Sequence, residues 1–282
     1  MKKVLSIILA GAIASSLFAY DIASGAALKT KAKTVTRTDF TIVSKFGEYF
    51  RTPSSKIVYK YDEQGKLLES SELTPRDVLV NKIVNTYDAM GNMTAQVCYD
   101  ADNVQIWNTT LSYKDNRKAD CSEFTKGGFL KGKTIYGYTG ANLTDESYYN
   151  SEGVLVWKII YKYDDSNRIE HEYEYFGDGT LDEERTYSYN AANLKESITY
   201  FDSTGAVKSK DVFRYAADNT LSEVTSYDSE NKIAKRSLVK IDSFGNCSKV
   251  TGYTVLRKFG TTVNEMSSMT EFIYDYNTVD QK

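Results

Sequence analysis

The chain is poor in the residues that interrupt strands or build catalytic centres. Two prolines, Pro53 and Pro75, occur in 282 residues, and His171 is the one histidine. Because proline removes a ladder hydrogen bond, this scarcity leaves long stretches free to pair as strands. Any Ser-His-Asp or Cys-His scheme must use His171, which lies mid-strand at a repeat position where other units carry glutamate. We therefore expect a structural role for His171.

Cysteine is also scarce and its number is odd. The three cysteines are Cys98, Cys121 and Cys247, and an odd number leaves at least one thiol free in an oxidising compartment. Cys98 and Cys121 are predicted to lie two strands apart, roughly 9 to 10 Å, too far for a relaxed disulfide. We predict free thiols and, since the cysteines and His171 have no zinc spacing, no metal site.

No excess of basic charge is present. Lysine and arginine total 35 against 38 aspartates and glutamates, a formal net charge of -3. This balance disfavours nucleic acid as a partner. No glycine-rich phosphate loop follows a strand and opens a helix, so we predict no nucleotide and no other cofactor.

The N-terminus has the pattern of an export signal. "MKKVLSIILAGAIASSLFAYD" places two lysines before an uncharged apolar run that ends in small residues, which predicts a signal peptide over residues 1–19. The rest contains no run apolar enough to span a bilayer as a helix. We expect an exported chain, periplasmic, on the outer surface or secreted, with residues 20–39 as a linker.

Aromatic residues are abundant and recur with a period. The chain has 23 tyrosines and 12 phenylalanines, which favours an all-β fold. Phrases such as "YDEQGKL" at 61, "YDDSNRI" at 163 and "FDSTGAV" at 201 repeat along the chain. The main series is spaced by 25 or 26 residues and comprises Tyr61, Tyr87, Tyr113, Tyr138, Tyr163, Tyr189, Tyr215 and Ile241. Such regularity indicates a tandem array.

A second aromatic series falls within each unit, so every unit holds two strands and two turns. Its members are Tyr99, Phe124, Tyr149, Tyr175, Phe201, Tyr227 and Tyr253. Aspartate followed by glycine or asparagine, as in Asp62 with Gly65, suits a tight turn with a left-handed residue. The sequence predicts a long antiparallel meander of hairpins.

The "YDxxGxL" phrase resembles the YD repeats of the Rhs (rearrangement hotspot) family over residues 57–250. The resemblance implies a short exported member without a toxin domain, of a family often described as carbohydrate-binding. It brings no catalytic residues.

Alternation along the strands predicts a two-faced sheet. One face would carry Trp157, Tyr161, Tyr173 and Tyr175, and the other would carry charges such as the glutamates 170, 172 and 174. To shield its aromatic face, the sheet should curl into a barrel, spiral or roll.

We predict one domain over residues 40–282, with residues 252–282 capping an edge. An outer-membrane barrel is a rival, disfavoured by mid-strand charges on the aromatic face.

Aromatic rings beside polar side chains make a sugar site the sharpest functional hypothesis, because rings stack on pyranose faces and polar groups bind hydroxyls. The predicted ligand-binding residues are Trp107, Trp157, Tyr161, Tyr173, Tyr175, Glu183, Arg185 and Glu196. Tyrosine ladders also occur simply as cross-strand packing.

The sequence thus predicts an exported, non-catalytic β-repeat protein of the periplasm or cell surface, acting as a binding, adhesion or structural module. Its partners would be glycans or another envelope or surface protein. The alternative is a carbohydrate-binding or carbohydrate-cleaving periplasmic protein with an aromatic groove.

Overall fold

The computed structural model describes residues 28, 31–258 and 260–276. The predicted signal peptide lies outside these residues. The described part of the chain forms eighteen β-strands and contains no helix. The strands are β1 (Ala32–Lys45), β2 (Glu48–Tyr61), β3 (Leu67–Leu73), β4 (Leu79–Tyr87), β5 (Met93–Asp100), β6 (Gln105–Lys114), β7 (Arg117–Thr125), β8 (Leu130–Thr139), β9 (Asn142–Asn150), β10 (Leu155–Tyr163), β11 (Ile169–Phe176), β12 (Leu181–Tyr189), β13 (Lys195–Asp202), β14 (Val207–Tyr215), β15 (Leu221–Asp228), β16 (Ile233–Ile241), β17 (Cys247–Lys258) and β18 (Thr261–Tyr276).

Every strand pairs antiparallel with the next, and β18 also pairs with β1. The all-β hairpin meander is therefore confirmed, but it is a closed 18-stranded barrel rather than an open sheet that curls. Closure pairs the backbone groups that two free edges would leave exposed. The segment predicted to cap an edge contains β18, which completes the ring by pairing with β17 and β1.

The first strand begins earlier than the sequence predicted. β1 starts at Ala32, whereas residues 20–39 were expected to be a linker. Val35 pairs with Tyr59 on β2 and with Tyr274 on β18, and it is fully buried. The short "TVTRT" alternation is strand-forming because its inward valine packs and its threonines are β-branched.

The repeated phrase forms the turns as predicted. The Gly65 amide donates to the Asp62 carbonyl at 3.0 Å, and the Asp62 amide donates to the Lys66 carbonyl at 2.9 Å. Oδ1 of Asp62 also accepts the amides of Gln64 and Lys66. Gly65 has a φ of 86°, and Asn167 holds the equivalent place with a φ of 64°. Aspartate and glycine are thus needed for the turn itself.

A β-bulge follows the turns and changes which side chains share a face. Tyr163 pairs with Ile169 but Lys162 pairs with His171, so Glu170 is an extra residue. Beyond the bulge, Tyr161 lies opposite Glu172. The predicted grouping of Tyr173 and Tyr175 with Tyr161 is wrong, because one extra residue moves every following side chain to the other face.

Both clusters of buried apolar side chains lie on one face of the wall. Side chains on the concave face of a closed barrel converge, whereas those on the convex face diverge, so we call the buried face the inner face. One cluster joins the strands around the closure and the other lies on β13 to β15. Their members include Val35, Tyr59, Leu67, Val250 and Phe272 in the first, and Ile198, Phe213, Leu221 and Val224 in the second.

The main tyrosine series points inward at one end of the barrel and links neighbouring strands. Tyr163 donates its hydroxyl to the carbonyl of Leu143, twenty residues earlier, at 2.8 Å. The same bond recurs at Tyr87, Tyr113, Tyr189 and Tyr215. The buried hydroxyl of Tyr61 is an exception, since it has no hydrogen-bond partner. The tyrosine that recurs in the repeat therefore makes the same hydrogen bond between strands in several units, in addition to marking the turn that follows it.

Replacing Tyr163 by phenylalanine should lower the free energy of unfolding by about 1 kcal/mol, because the Leu143 carbonyl loses its donor. Tyr61→Phe is the matched control and should be neutral or stabilising, since its hydroxyl makes no bond. Urea unfolding of both variants measures the difference. Equal losses would show that the tyrosine hydroxyls do not link the strands.

Candidate functional site

The structure separates the eight predicted site residues. Five of them lie on the inner face, as the pairings from β6 to β12 show: Trp107, Trp157, Tyr161, Glu183 and Arg185. Trp107 lies on β6, four strands from Trp157 on β10. Tyr173 and Tyr175 lie on the outer face beyond the Glu170 bulge. Glu196 is itself the extra residue of a bulge and is exposed.

The outer-face aromatics form a packed ladder. The rings of His171 and Tyr173 stack with centroids 5.7 Å apart, and Tyr173 stacks on Tyr175 at 6.5 Å. Nζ of Lys162 lies 4.9 Å from the Tyr173 centroid, and Nδ1 of His171 lies 2.9 Å from Oε1 of Glu184. Neighbouring side chains thus account for His171 in a structural role.

On the inner face, Trp157 stacks on Tyr148 from β9. Their centroids are 5.5 Å apart and their planes differ by 11°. Tyr148 is buried, whereas Trp157 is half-buried and lies opposite Phe176 on β11. The sequence reasoning missed Tyr148 because simple alternation from Tyr149 does not allow for the bulge at Val156.

Arg185 is the centre of a charged cluster on the inner face. Its guanidinium donates to Oε1 of Glu172, to Oε1 of Glu183 at 2.9 Å and to Oε2 of Glu174 at 3.4 Å. Burial opposes its charge, but the carboxylates of Glu172 and Glu183 outweigh burial and raise the pKa of Arg185. The sequence predicted Glu172 and Glu174 to lie on the opposite face; the bulge brings them to Arg185 instead.

Glu183 is held in its charged form. Burial by itself would raise its pKa, but hydrogen bonds from Lys208 and Arg185 lower the pKa of Glu183 below its ordinary value. Glu183 also lies directly opposite Glu174. The two carboxylates are therefore kept close together by the cations between and beside them.

Tyrosine and glutamate pair in two successive units next to this cluster. Tyr161 donates to Oε1 of Glu146 at 2.9 Å, and Tyr187 donates to Oε2 of Glu172 at 2.7 Å. Burial raises the pKa of Glu146, although the bond from Tyr161 counteracts this. The inner face of β9 to β12 thus carries aromatic rings beside hydrogen-bonded carboxylates.

The described residues contain neither a candidate metal centre nor a candidate membrane-spanning helix. No group of three or more histidine, cysteine, aspartate or glutamate side chains in that part of the chain is arranged to hold a metal ion. Among the same residues, no helix is long and apolar enough to cross a membrane.

Comparison with known proteins gives distant structural likenesses. No family model and no curated protein matches this chain, so the YD-repeat resemblance stays a prediction. It is similar to a porin-like protein from Bacteroides uniformis, at 9% identity and a TM-score of 0.47, covering 86% of this chain and 98% of that chain.

Two further solved structures are similar over most of this chain. A DUF1329 family protein from Desulfovibrio piger is 9% identical with a TM-score of 0.26, covering 89% of this chain and 88% of that one. The Photorhabdus luminescens Tc holotoxin pore is 12% identical with a TM-score of 0.32, covering 77% of this chain and 12% of that one. Since a shared fold does not define a function, likenesses this distant assign none.

Replacing Arg185 by methionine should destabilise the barrel at neutral pH by about 2 to 3 kcal/mol, because three carboxylates lose their shared cation. Arg214→Met is the control: Arg214 lies 3.9 Å from Glu223 with its side chain 61% exposed, and its loss should cost less than about 1 kcal/mol.

The Arg185→Met defect should shrink as the pH falls. Because the folded-state pKa of Glu183 lies below its ordinary 4.5, its ion pairs stabilise the protein above that value and lose their effect as the pH drops through the folded pKa. Denaturant unfolding at neutral pH and near pH 4 measures this. A defect that is independent of pH would mean that Arg185 acts through packing alone.

Proposed function

We propose that this protein is an exported, non-catalytic barrel whose inner face binds a polyhydroxylated ligand such as a glycan. The observation that supports this most directly is the half-buried Trp157, stacked on Tyr148 within the same inner-face surface as the Arg185 cluster. An aromatic ring supplies the flat apolar face that a pyranose stacks on. Charged side chains nearby supply hydrogen bonds to its hydroxyls.

The position of these groups suits ligand capture. Trp157 lies close to the β9–β10 turn, at one end of the barrel, and Phe176 opposite it is 42% exposed. Small-molecule sites are frequent in the mouths of β-barrels, where a rigid wall holds the side chains in place. Tyr148 fixes one face of the Trp157 ring, so little freedom of that ring remains to be lost on binding.

The facing pair of Glu174 and Glu183 suits binding better than glycoside cleavage. Cleavage needs one carboxylic acid that keeps its proton, with a raised pKa, beside a second carboxylate. Glu174 and Glu183 are opposite each other, but Arg185 contacts both and Lys208 bonds Glu183. Hydrogen bonds to the charged form lower the pKa of Glu183 despite its burial, so this pair is better suited to accept hydroxyl protons than to deliver one.

The outer face supports a location in water. Cations occur in the middle of its strands, and they include Lys82, Lys133, Lys158, Lys162, Lys210 and Arg236. A lysine or arginine facing lipid costs about 2 to 4 kcal/mol at the midplane. We therefore propose a water-filled exported compartment, the periplasm or the cell surface, around this wall.

A second candidate function is contact with another envelope protein through the rim of the barrel. Four successive turns at one end expose an apolar side chain each, Val78 at 60%, Val104 at 42%, Phe129 at 76% and Val154 at 56%. The equivalent positions of the next three turns are Thr180, Ala206 and Lys232. An apolar arc on part of the rim is typical of a protein contact.

Trp157→Ala should abolish or weaken glycan binding by at least about tenfold, because the stacking face is removed. Tyr173→Ala is the control, since Tyr173 lies on the outer face and its loss should leave binding unchanged. Glycan-array screening of the mature chain, followed by calorimetry on any hit, measures both. Circular dichroism checks that each variant is folded.

Two outcomes would contradict the proposed site. If no glycan binds the wild-type chain at high micromolar concentration, the ligand class is wrong. If Tyr173→Ala reduces binding as much as Trp157→Ala does, the ligand does not occupy the inner face.

A further inference from the structure

Two buried side-chain oxygens with unused hydrogen-bonding capacity lie on facing residues of the inner face, close to the Trp157 stack. Thr109 on β6 and Glu123 on β7 are directly opposite each other. Thr109 is 1% exposed and the Glu123 side chain 5%. Oε1 of Glu123 has no hydrogen-bond partner, and Oγ1 of Thr109 has none except the neighbouring Cys121 thiol. A buried polar atom without a hydrogen-bond partner lowers the free energy of unfolding by about 1 to 3 kcal/mol, so such atoms call for an explanation.

A glycine connects this pair to the aromatic stack. Gly132 on β8 lies directly opposite Glu123, and a Cβ at Gly132 would meet the Tyr148 hydroxyl at 2.3 Å. The absence of a side chain therefore lets Tyr148 extend over β8 towards β7. Trp157, Tyr148, Gly132 and Glu123 form a continuous row across four neighbouring strands.

The charge at this position favours a neutral group over a cation. Oε2 of Glu123 is paired with Nζ of Lys131 at 3.2 Å, so one positive charge already balances the carboxylate. What remains is an acceptor, Oε1, facing a threonine hydroxyl that both donates and accepts. Burial and the nearby Glu123 carboxylate raise the pKa of Cys121 to about 11, so this neighbouring thiol is neutral at physiological pH.

We infer that Thr109 and Glu123 form a subsite for one hydroxyl group of the bound ligand. The hydroxyl donates to Oε1 of Glu123 and accepts from Oγ1 of Thr109, which uses the free capacity of both oxygens. The Lys131 side chain, which pairs with Oε2 of Glu123, is 47% exposed, so this ion pair connects the subsite to water. The inference rests on the proposed function only in taking the ligand to be the polyhydroxylated molecule that stacks on Trp157.

Thr109→Val and Glu123→Gln test the subsite. Valine matches threonine in shape and removes a hydroxyl with unused hydrogen-bonding capacity, so Thr109→Val should fold with an unchanged or raised melting temperature. Glu123→Gln keeps the side-chain shape and changes its charge. Thr225→Val is the control, because Thr225 is similarly buried on β15 but its hydroxyl already bonds Glu223 at 2.8 Å.

Two probes separate the subsite from the stacking site. The first is the tightest sugar found on the array, measured by calorimetry; each subsite variant should bind it at least about tenfold more weakly, and the control should not. The second is glycerol, which has hydroxyls but no ring face. Glycerol should raise the melting temperature of the wild type more than that of the Thr109→Val variant. It should raise the melting temperatures of the wild type and of the Thr225→Val variant equally.

The outcomes distinguish the two proposals. Sugar binding that is unchanged in both subsite variants overturns the subsite and leaves the proposed function standing. Absence of sugar binding, with glycerol still favouring wild type over Thr109→Val, overturns the stacking site and supports the subsite. If no sugar binds and glycerol protects all variants equally, both proposals are wrong.

Discussion

The bulge beside most of the hairpin turns decides which residues meet inside this barrel. A strand alternates its side chains with a period of two, so one extra residue reverses the assignment of the rest of the strand. Glu170 is such a residue, and it places Glu172 opposite Tyr161 while His171 moves to the outer wall. Because bulges also increase local twist, the same feature helps the sheet to bend and close.

Closure then gives the two faces different environments. On the inner face, curvature brings side chains together and buries carboxylates that would otherwise be in water. Burial alone disfavours their charged form, so each needs a partner. Glu146 accepts a bond from Tyr161, Glu172 accepts one from Tyr187, and Arg185 donates to Glu174 and Glu183. The outer face is convex and faces water. Lysines such as Lys162 lie there beside aromatic rings and need no partner of opposite charge.

A few buried side-chain oxygens differ from these paired groups because their hydrogen-bonding capacity is not fully used. Among the described residues, the buried side-chain oxygens that lack a full set of partners belong to Tyr61, Thr109 and Glu123, and the last two residues face each other on adjacent strands. The row from Trp157 to Glu123 runs from β10 to β7, and the charged cluster around Arg185 lies on the other side of Trp157, on β11 and β12. Under the proposed function, one ligand stacks on Trp157 and bonds the oxygens of Thr109 and Glu123.

The sequence by itself determined the strands, the turns and the period, because these depend on local chemistry. An aspartate followed three residues later by glycine, as at Asp62 and Gly65, favours a turn, and the tyrosine series marks each repeat unit. Tertiary structure decided which face each side chain occupies. A bulge depends on how a strand pairs with the neighbouring strand, and the alternation of residues along one strand does not reveal it. It also decided closure, since β1 and β18 meet across the whole length of the chain. For that reason Trp157 and Arg185 could be proposed from the sequence as ligand-binding residues, which stays a prediction, whereas the positions of Tyr148, Glu172 and the Thr109–Glu123 pair required the fold.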